Sequence, residues 1–189
     1  QLAGEATAGN YRLILVSPVS RTRIFLSKFS TTAIYTIVFV GFLGLLSVGL
    51  ALMLLGRGDL IIVQRGILIL PESEVVWRFL TAYCLAAWAM LTIASLAFLF
   101  SSFVENAIGP IIGTMGINIV FLLITVIPVE LFKEIKPYLF SNYMNVWQQA
   151  FEDPFPWESI GNSVAVLGAY SVGFVFIAWL IFRRKDILS

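Results

Sequence analysis

The sequence contains no histidine and only one cysteine, Cys84, among its 189 residues. These absences exclude a disulfide within the chain, a Cys/His zinc site and a Ser-His-Asp or Cys-His catalytic group. The G-x-x-x-x-G-K-[ST] motif is absent too, so the chain has no P-loop with which to bind ATP itself. We therefore expect no catalytic residue and no metal ligand, and we predict that the chain is not an enzyme.

Charged residues are also scarce. They make up 12% of the sequence, against roughly 25% in an ordinary soluble domain, while hydrophobic residues make up 59%. So few charges cannot wet the whole surface, and lipid must cover much of it. The net charge of +1 gives no reason to expect a nucleic-acid partner.

Long apolar runs dominate what is present. Four of them exceed the roughly 20 residues that a helix needs to cross a bilayer core. They are Phe29 to Leu55, Trp77 to Phe103, Ala107 to Ile127 and Ile160 to Phe182. The predicted fold is an all-α membrane protein, a polytopic bundle of about four transmembrane helices. Residues 1–28, 56–76, 104–106, 128–159 and 183–189 connect or flank these helices.

The distribution of Lys and Arg predicts the orientation. Seven of the twelve basic residues lie in segments 1–28 and 183–189, which four spans place on the same side. Segments 56–76 and 128–159 carry more acidic than basic residues. The positive-inside rule therefore predicts a multi-pass protein of the plasma (inner) membrane with both ends of this segment cytoplasmic.

The long outer segment, Pro128 to Ser159, has a pattern of its own. Apolar residues at Val129, Phe132 and Ile135 predict a short interfacial helix that is broken near Pro137. Aromatic residues follow, of the types that anchor at the level of lipid headgroups. We read them as an aromatic belt; an accessory protein on the outer face and a lid over a translocation path are the alternatives.

Small residues inside the spans predict close helix packing, within the chain or between protomers. They form one series in the third run and another in the fourth: Gly109, Gly113, Gly116; Ala165, Ala169, Gly173. Asn118, an amide well inside a span, is expected to bond across helices. No span has a central carboxylate or base, which argues against a proton-coupled carrier.

The N-terminal segment predicts a collar at the cytoplasmic surface. Tyr11 to Val16 reads as a short helix with a basic face, Ser17-Pro18 ends it, and a second short element from Arg21 to Lys28 leads into the first span. On pattern alone, a basic segment that binds the lipid surface is an equal alternative.

This segment also resembles the cytoplasmic loop between the second and third spans of ABC-2 type transporter permeases. The matching residues are Glu5, Gly9, Arg12, Leu13, Leu15, Pro18, Val19, Ser20, Arg21 and Lys28. Leu96 to Phe103, Ala107 to Gly116 and Phe182 to Ile187 are similar to other parts of that family. The resemblance covers nearly the whole chain, although only the loop is specific.

The resemblance implies the transmembrane subunit of an ATP-driven exporter, in which this chain supplies spans three to six and two spans precede it. The loop would dock into a separate ATP-binding subunit, which would bind ATP and Mg, so that this chain needs no cofactor. The implied coupling residues are Glu5, Tyr11, Arg12, Leu13, Leu15, Ser17, Pro18, Arg21 and Arg23. A second permease copy, as a homodimer, and the bilayer are the other implied partners. A passive channel or secondary carrier and a membrane scaffold remain as alternatives.

Overall fold

Four long helices form the protein. The computed structural model describes residues 20–63, 67–104, 106, 108–127 and 129–184. The long helices are α1 (Arg21–Leu55), α2 (Glu72–Phe103), α3 (Ile108–Val126) and α5 (Trp157–Arg184). Each is long and apolar enough to cross a membrane. The predicted all-α, multi-pass bundle of four spans is confirmed at this level.

Three of the helices extend beyond their apolar runs. Helix α1 begins at Arg21 rather than Phe29, so the predicted second short element is the start of α1 itself. Helix α2 begins at Glu72, where the first turn carries Glu72 and Glu74. Carboxylates are favourable there because the helix dipole is positive at its N-terminus. The side chain of Asp59 also accepts a hydrogen bond from the backbone N–H of Glu72 at 3.1 Å. Polar ends of this kind continue a helix into the headgroup region, which an apolar run cannot reveal.

A β-hairpin lies between α1 and α2, where the sequence predicted only a loop. Strand β1 (Leu60–Val63) pairs antiparallel with β2 (Ile67–Leu70), with Ile61 opposite Ile69. Two runs of four β-branched and leucine residues around a glycine-containing tripeptide were the signal for it. The hairpin adds a small sheet to the predicted all-α fold.

The segment between α3 and α5 is more folded than predicted. The expected interfacial helix is only four residues long, α4 (Glu130–Lys133), and Pro137 lies inside the following 3-10 turn, η1 (Lys136–Tyr138). A 3-10 helix, η2 (Phe140–Phe151), comes next and packs against α2 and α5. Val146 and Ala150 of η2 are almost fully buried. This part of the segment therefore belongs to the protein core instead of resting on the membrane surface.

Helix α2 lies at the centre of the bundle and contacts α1, α3, α5 and η2. Its most extensive contact is with α5. The start of α1 and the ends of α2 and α5 lie on one side, here called the terminal side. The hairpin, α4 and η2 lie on the other, here called the loop side.

Candidate functional site

An aromatic cluster on the terminal side fixes the start of α1. The ring of Phe25 is 1% exposed and lies between α2 and α5, with ring centroids 5.2 Å from Phe98 and 5.8 Å from Phe182. Phe29 adds an edge contact to Phe98 at 5.5 Å. We call Phe25, Phe29, Phe98 and Phe182 the terminal junction. It joins the first two turns of α1 to the ends of both central helices.

Basic side chains surround the terminal junction. Arg21 and Arg23 are exposed in the first turn of α1, which contains no acidic residue. The positive end of the helix dipole disfavours cations at this place. Arg183 in the last turn of α5 lies 5.5 Å from the ring centroid of Trp179. A basic rim of this kind suits an acidic protein surface or anionic lipid.

Polar contacts inside the membrane-spanning region join α2 to α5. The indole N–H of Trp88 donates to the carbonyl of Val164 at 3.0 Å. The fully buried hydroxyl of Thr92 lies 3.3 Å from the carbonyl of Leu167 and accepts from the Ser171 hydroxyl at 3.0 Å. Hydrogen bonds between helices hold a membrane bundle together where apolar burial gives no driving force. Helices α2 and α5 thus form a fixed pair.

The predicted small residues of α5 lie away from this seam. Ala165 and Ala169 are exposed, and a Cβ placed on Gly173 would meet no atom of the described residues within 4 Å. Gly168 makes the close approach instead, since its Cβ would lie 3.2 Å from the Trp88 ring. The series does not form the described α2–α5 seam, and its packing, within the chain or between protomers, stays a prediction.

The glycines of α3 divide in the same way. Positions for a Cβ on Gly109 and Gly113 face Val104 at 3.4 Å and Phe100 at 3.5 Å, so these two glycines pack against the end of α2 and the residue that follows it. Gly116 meets nothing within 4 Å in the described part of the chain. The Asn118 amide donates to the Thr114 carbonyl of its own helix at 2.8 Å, rather than across helices as expected.

A buried arginine organises the loop side, and no role was predicted for it from the sequence. Arg78 of α2 is 3% exposed. Its guanidinium donates to the carbonyls of Ala150 at 3.1 Å and Glu152 at 2.6 Å, and to a carboxylate oxygen of Glu74 at 3.1 Å. The rings of Trp77 and Phe155 lie 4.6 and 5.2 Å from its central carbon. Arg78 therefore ties the end of η2 to α2, and the only hint in the sequence was a charge beside an apolar run.

A groove separates α1 from α2 on the loop side. It has a volume of about 900 Å³, and its walls are mostly apolar side chains of the two helices. Gly41 and Gly44 form part of the α1 wall, and Tyr83 part of the α2 wall. The charged lining residues, Arg57, Asp59 and Glu72, come from the segment after α1 and the first residue of α2. We call these three residues the mouth of the groove.

Most of the predicted coupling residues cannot be placed. Arg21 and Arg23 lie at the start of α1, whereas seven others fall outside the described residues. These seven are Glu5, Tyr11, Arg12, Leu13, Leu15, Ser17 and Pro18. Within the described residues, no group of three or more acidic or cysteine side chains is placed to hold a metal ion.

The fold and these contacts define a multi-pass helical membrane protein with a central α2–α5 pair. The chain matches a family described as "Protein of unknown function (DUF2705)" over residues 1–188, and it belongs to that family. No curated protein and no solved structure matches it.

Proposed function

We propose that this chain is a transmembrane permease subunit of an ATP-driven exporter of the ABC-2 type. ATP hydrolysis would take place in a separate subunit that binds ATP and Mg, and the permease would act as a homodimer. The observation that carries the proposal is the continuity of α1: it begins at Arg21, within the loop motif, and runs unbroken to Leu55. A displacement of the N-terminal coupling loop would therefore be transmitted along one rigid helix, from the terminal side of the bundle to the loop side.

Helix α1 is about 50 Å long at 1.5 Å per residue, which exceeds the roughly 30 Å hydrocarbon core. Its start is held by the terminal junction, while its loop-side half borders the groove. The junction is a pivot in this proposal. A small rotation about Phe25 would widen or narrow the groove, which is the two-state element that alternating access requires.

The orientation in the proposal follows from charge. With the terminal side in the cytoplasm, the arginines at the start of α1 and at the end of α5 face the compartment where an ATP-binding subunit would be found. Arg21 and Arg23 would then meet acidic residues of that subunit. The same basic rim would bind anionic lipid in a membrane scaffold, so the partner, not the rim, decides between the two functions.

The experiment is purification of the full-length protein from its native membranes in mild detergent, followed by mass spectrometry and an ATPase assay. We expect an ATP-binding subunit in stoichiometric amount. The Arg21→Glu, Arg23→Glu double variant should insert normally but lose transport, and should lose or uncouple the ATPase, because two charges at the contact are reversed.

Lys133→Glu is the matched control, since it reverses an exposed charge on the loop side that pairs only weakly with Glu130 at 3.9 Å. It should keep the ATPase and its coupling. Purification of an intact protein without any ATPase would overturn the proposal in favour of a channel or a scaffold. So would normal transport by the double variant at normal expression.

A further inference from the structure

We propose that the groove between α1 and α2 binds one phospholipid with an amine in its headgroup, such as phosphatidylethanolamine. One acyl chain would lie along the helix walls, with the phosphate at Arg57 and the ammonium group at the acidic side chains of the mouth. This proposal concerns a binding site on the chain itself and does not depend on any ATP-binding partner.

The groove has the size and lining of a ligand site. Its volume of about 900 Å³ lies within the roughly 300–1,000 Å³ of small-molecule pockets, which are mostly apolar with a few polar groups. Gly41 leaves the α1 wall open, since a Cβ there would meet no atom of the described residues within 4 Å. Because both walls belong to spanning helices, the groove lies within the bilayer, where lipid acyl chains are the apolar groups available to fill it.

The distribution of charge along the groove indicates a ligand with one polar headgroup. The charged lining residues flank the apolar walls at the loop-side end only, so the groove has one polar end and one apolar body. A phospholipid has the same division. A spanning helix from a second copy, by contrast, would pack along the whole wall and would not need three charges at one end.

The mouth contains both signs of charge, which selects among headgroups. Arg57 is exposed and offers the forked donor that suits a phosphate. Asp59 and Glu72 lie together, because the Asp59 carboxylate accepts from the Glu72 backbone N–H at 3.1 Å. All three residues line the same mouth, and two acidic side chains with one arginine disfavour a headgroup whose net charge is negative and favour one that also carries an ammonium group.

Native mass spectrometry of the full-length protein, purified in mild detergent and then titrated with defined lipids, tests the site. We expect one phosphatidylethanolamine per chain, bound more tightly than phosphatidylglycerol and much more tightly than diacylglycerol. Gly41→Phe should abolish this binding by filling the groove. Gly49→Phe is the matched control, since Gly49 is on the same helix, has the same free space around its Cβ and does not line the groove.

Arg57→Gln removes the cation without touching the helices. It should lower the affinity about tenfold, the value of one charge-assisted hydrogen bond. The proposal is overturned if Gly41→Phe and Gly49→Phe retain the lipid equally, or if Arg57→Gln binds as the wild type does. It is also overturned if diacylglycerol binds as well as phosphatidylethanolamine, or if Gly41→Phe separates a dimer that held no lipid.

Discussion

Helices α1 and α2 are both long, apolar and neighbours in the bundle, yet they are packed very differently. In the most apolar window of α2, 44% of the residues are buried, against 11% in that of α1. Helix α2 is surrounded by α1, α3, α5 and η2, and bonds across to α5 through Trp88 and Thr92. The described contacts of α1 include the terminal junction and the place where Gly44 meets the Tyr83 ring.

This difference in packing divides the bundle into two parts, which we call the frame and the lever. The frame is the unit of α2, α5 and η2, which polar contacts hold at the membrane centre and Arg78 holds on the loop side. The lever is α1, which is fixed at one end and bordered by the groove towards the other. Elements that move are drawn from the least buried parts of a structure, and the apolar windows of α1 and α3 are both 11% buried. We propose α1 as the lever because, of these two helices, it is the one that lines the groove and carries the end of the loop motif.

Breaking the frame at Arg78 should have the largest effect. Arg78→Met leaves the carbonyls of Ala150 and Glu152 without this donor and should lower the free energy of unfolding by about 3 kcal/mol, because each buried acceptor left unsatisfied costs about 1–3 kcal/mol. Unfolding by SDS in mixed micelles, followed by circular dichroism, measures this. Lys133→Met removes an exposed charge from the same side and should change stability little. Equal effects of the two variants would show that Arg78 does not hold the frame.

Disrupting the attachment of α1 at the terminal junction should have an intermediate effect on the free energy of unfolding. Phe25→Ala removes two ring contacts, each worth about 0.5–1.5 kcal/mol beyond the buried area. Because lipid and detergent solvate an apolar side chain as the bundle does, burial adds little, and we expect a loss of about 2 kcal/mol. Phe42→Ala on the same helix is the control, because Phe42 is 56% exposed. Thermal unfolding of both variants in detergent checks the difference. If Phe42→Ala costs as much as Phe25→Ala, the terminal junction is not the attachment point of α1.

The smallest effect should come from the α2–α5 seam. Thr92→Val removes the hydroxyl between Leu167 and Ser171 and should cost about 0.6 kcal/mol, the average for a side-chain hydrogen bond in a membrane protein. Thr81→Val is its control, because the Thr81 hydroxyl donates to the Trp77 carbonyl of its own helix. A double-mutant cycle with Ser171→Ala measures the coupling. A coupling energy of zero would remove this contact from the description of the frame.

The sequence predicted the spans well because apolar length is a strong signal. The third run, Ala107 to Ile127, matches α3 to within a residue at each end. The prediction from sequence failed where tertiary contacts determine the local structure. Residues 140–151, a run of polar and aromatic residues, form a partly buried 3-10 helix because the apolar side of this run contacts α2 and α5.

Residue roles were harder to predict than elements. Arg78 is one charge beside an apolar run, and only the fold brings the carbonyls of Ala150 and Glu152 to it. Small residues every four positions in α5 suggested a seam, but the seam uses Leu167, Gly168 and Ser171 on the adjacent face. Spacing gives the period of a helix, and it does not say which face meets a neighbour.

The central claim is that α1 moves against a fixed α2–α5 frame, and paired spin labels test it directly. Cys84 on α2 is the sole cysteine of the sequence, so a second one at Leu50 of α1 or at Ala165 of α5 gives a labelled pair in each case. Both added positions are exposed. In full-length protein that keeps Cys84 as its sole native cysteine and is reconstituted into a bilayer, the account predicts a broad distance distribution for Cys84 with Leu50→Cys and a narrow one for Cys84 with Ala165→Cys. Two equally narrow distributions would contradict it.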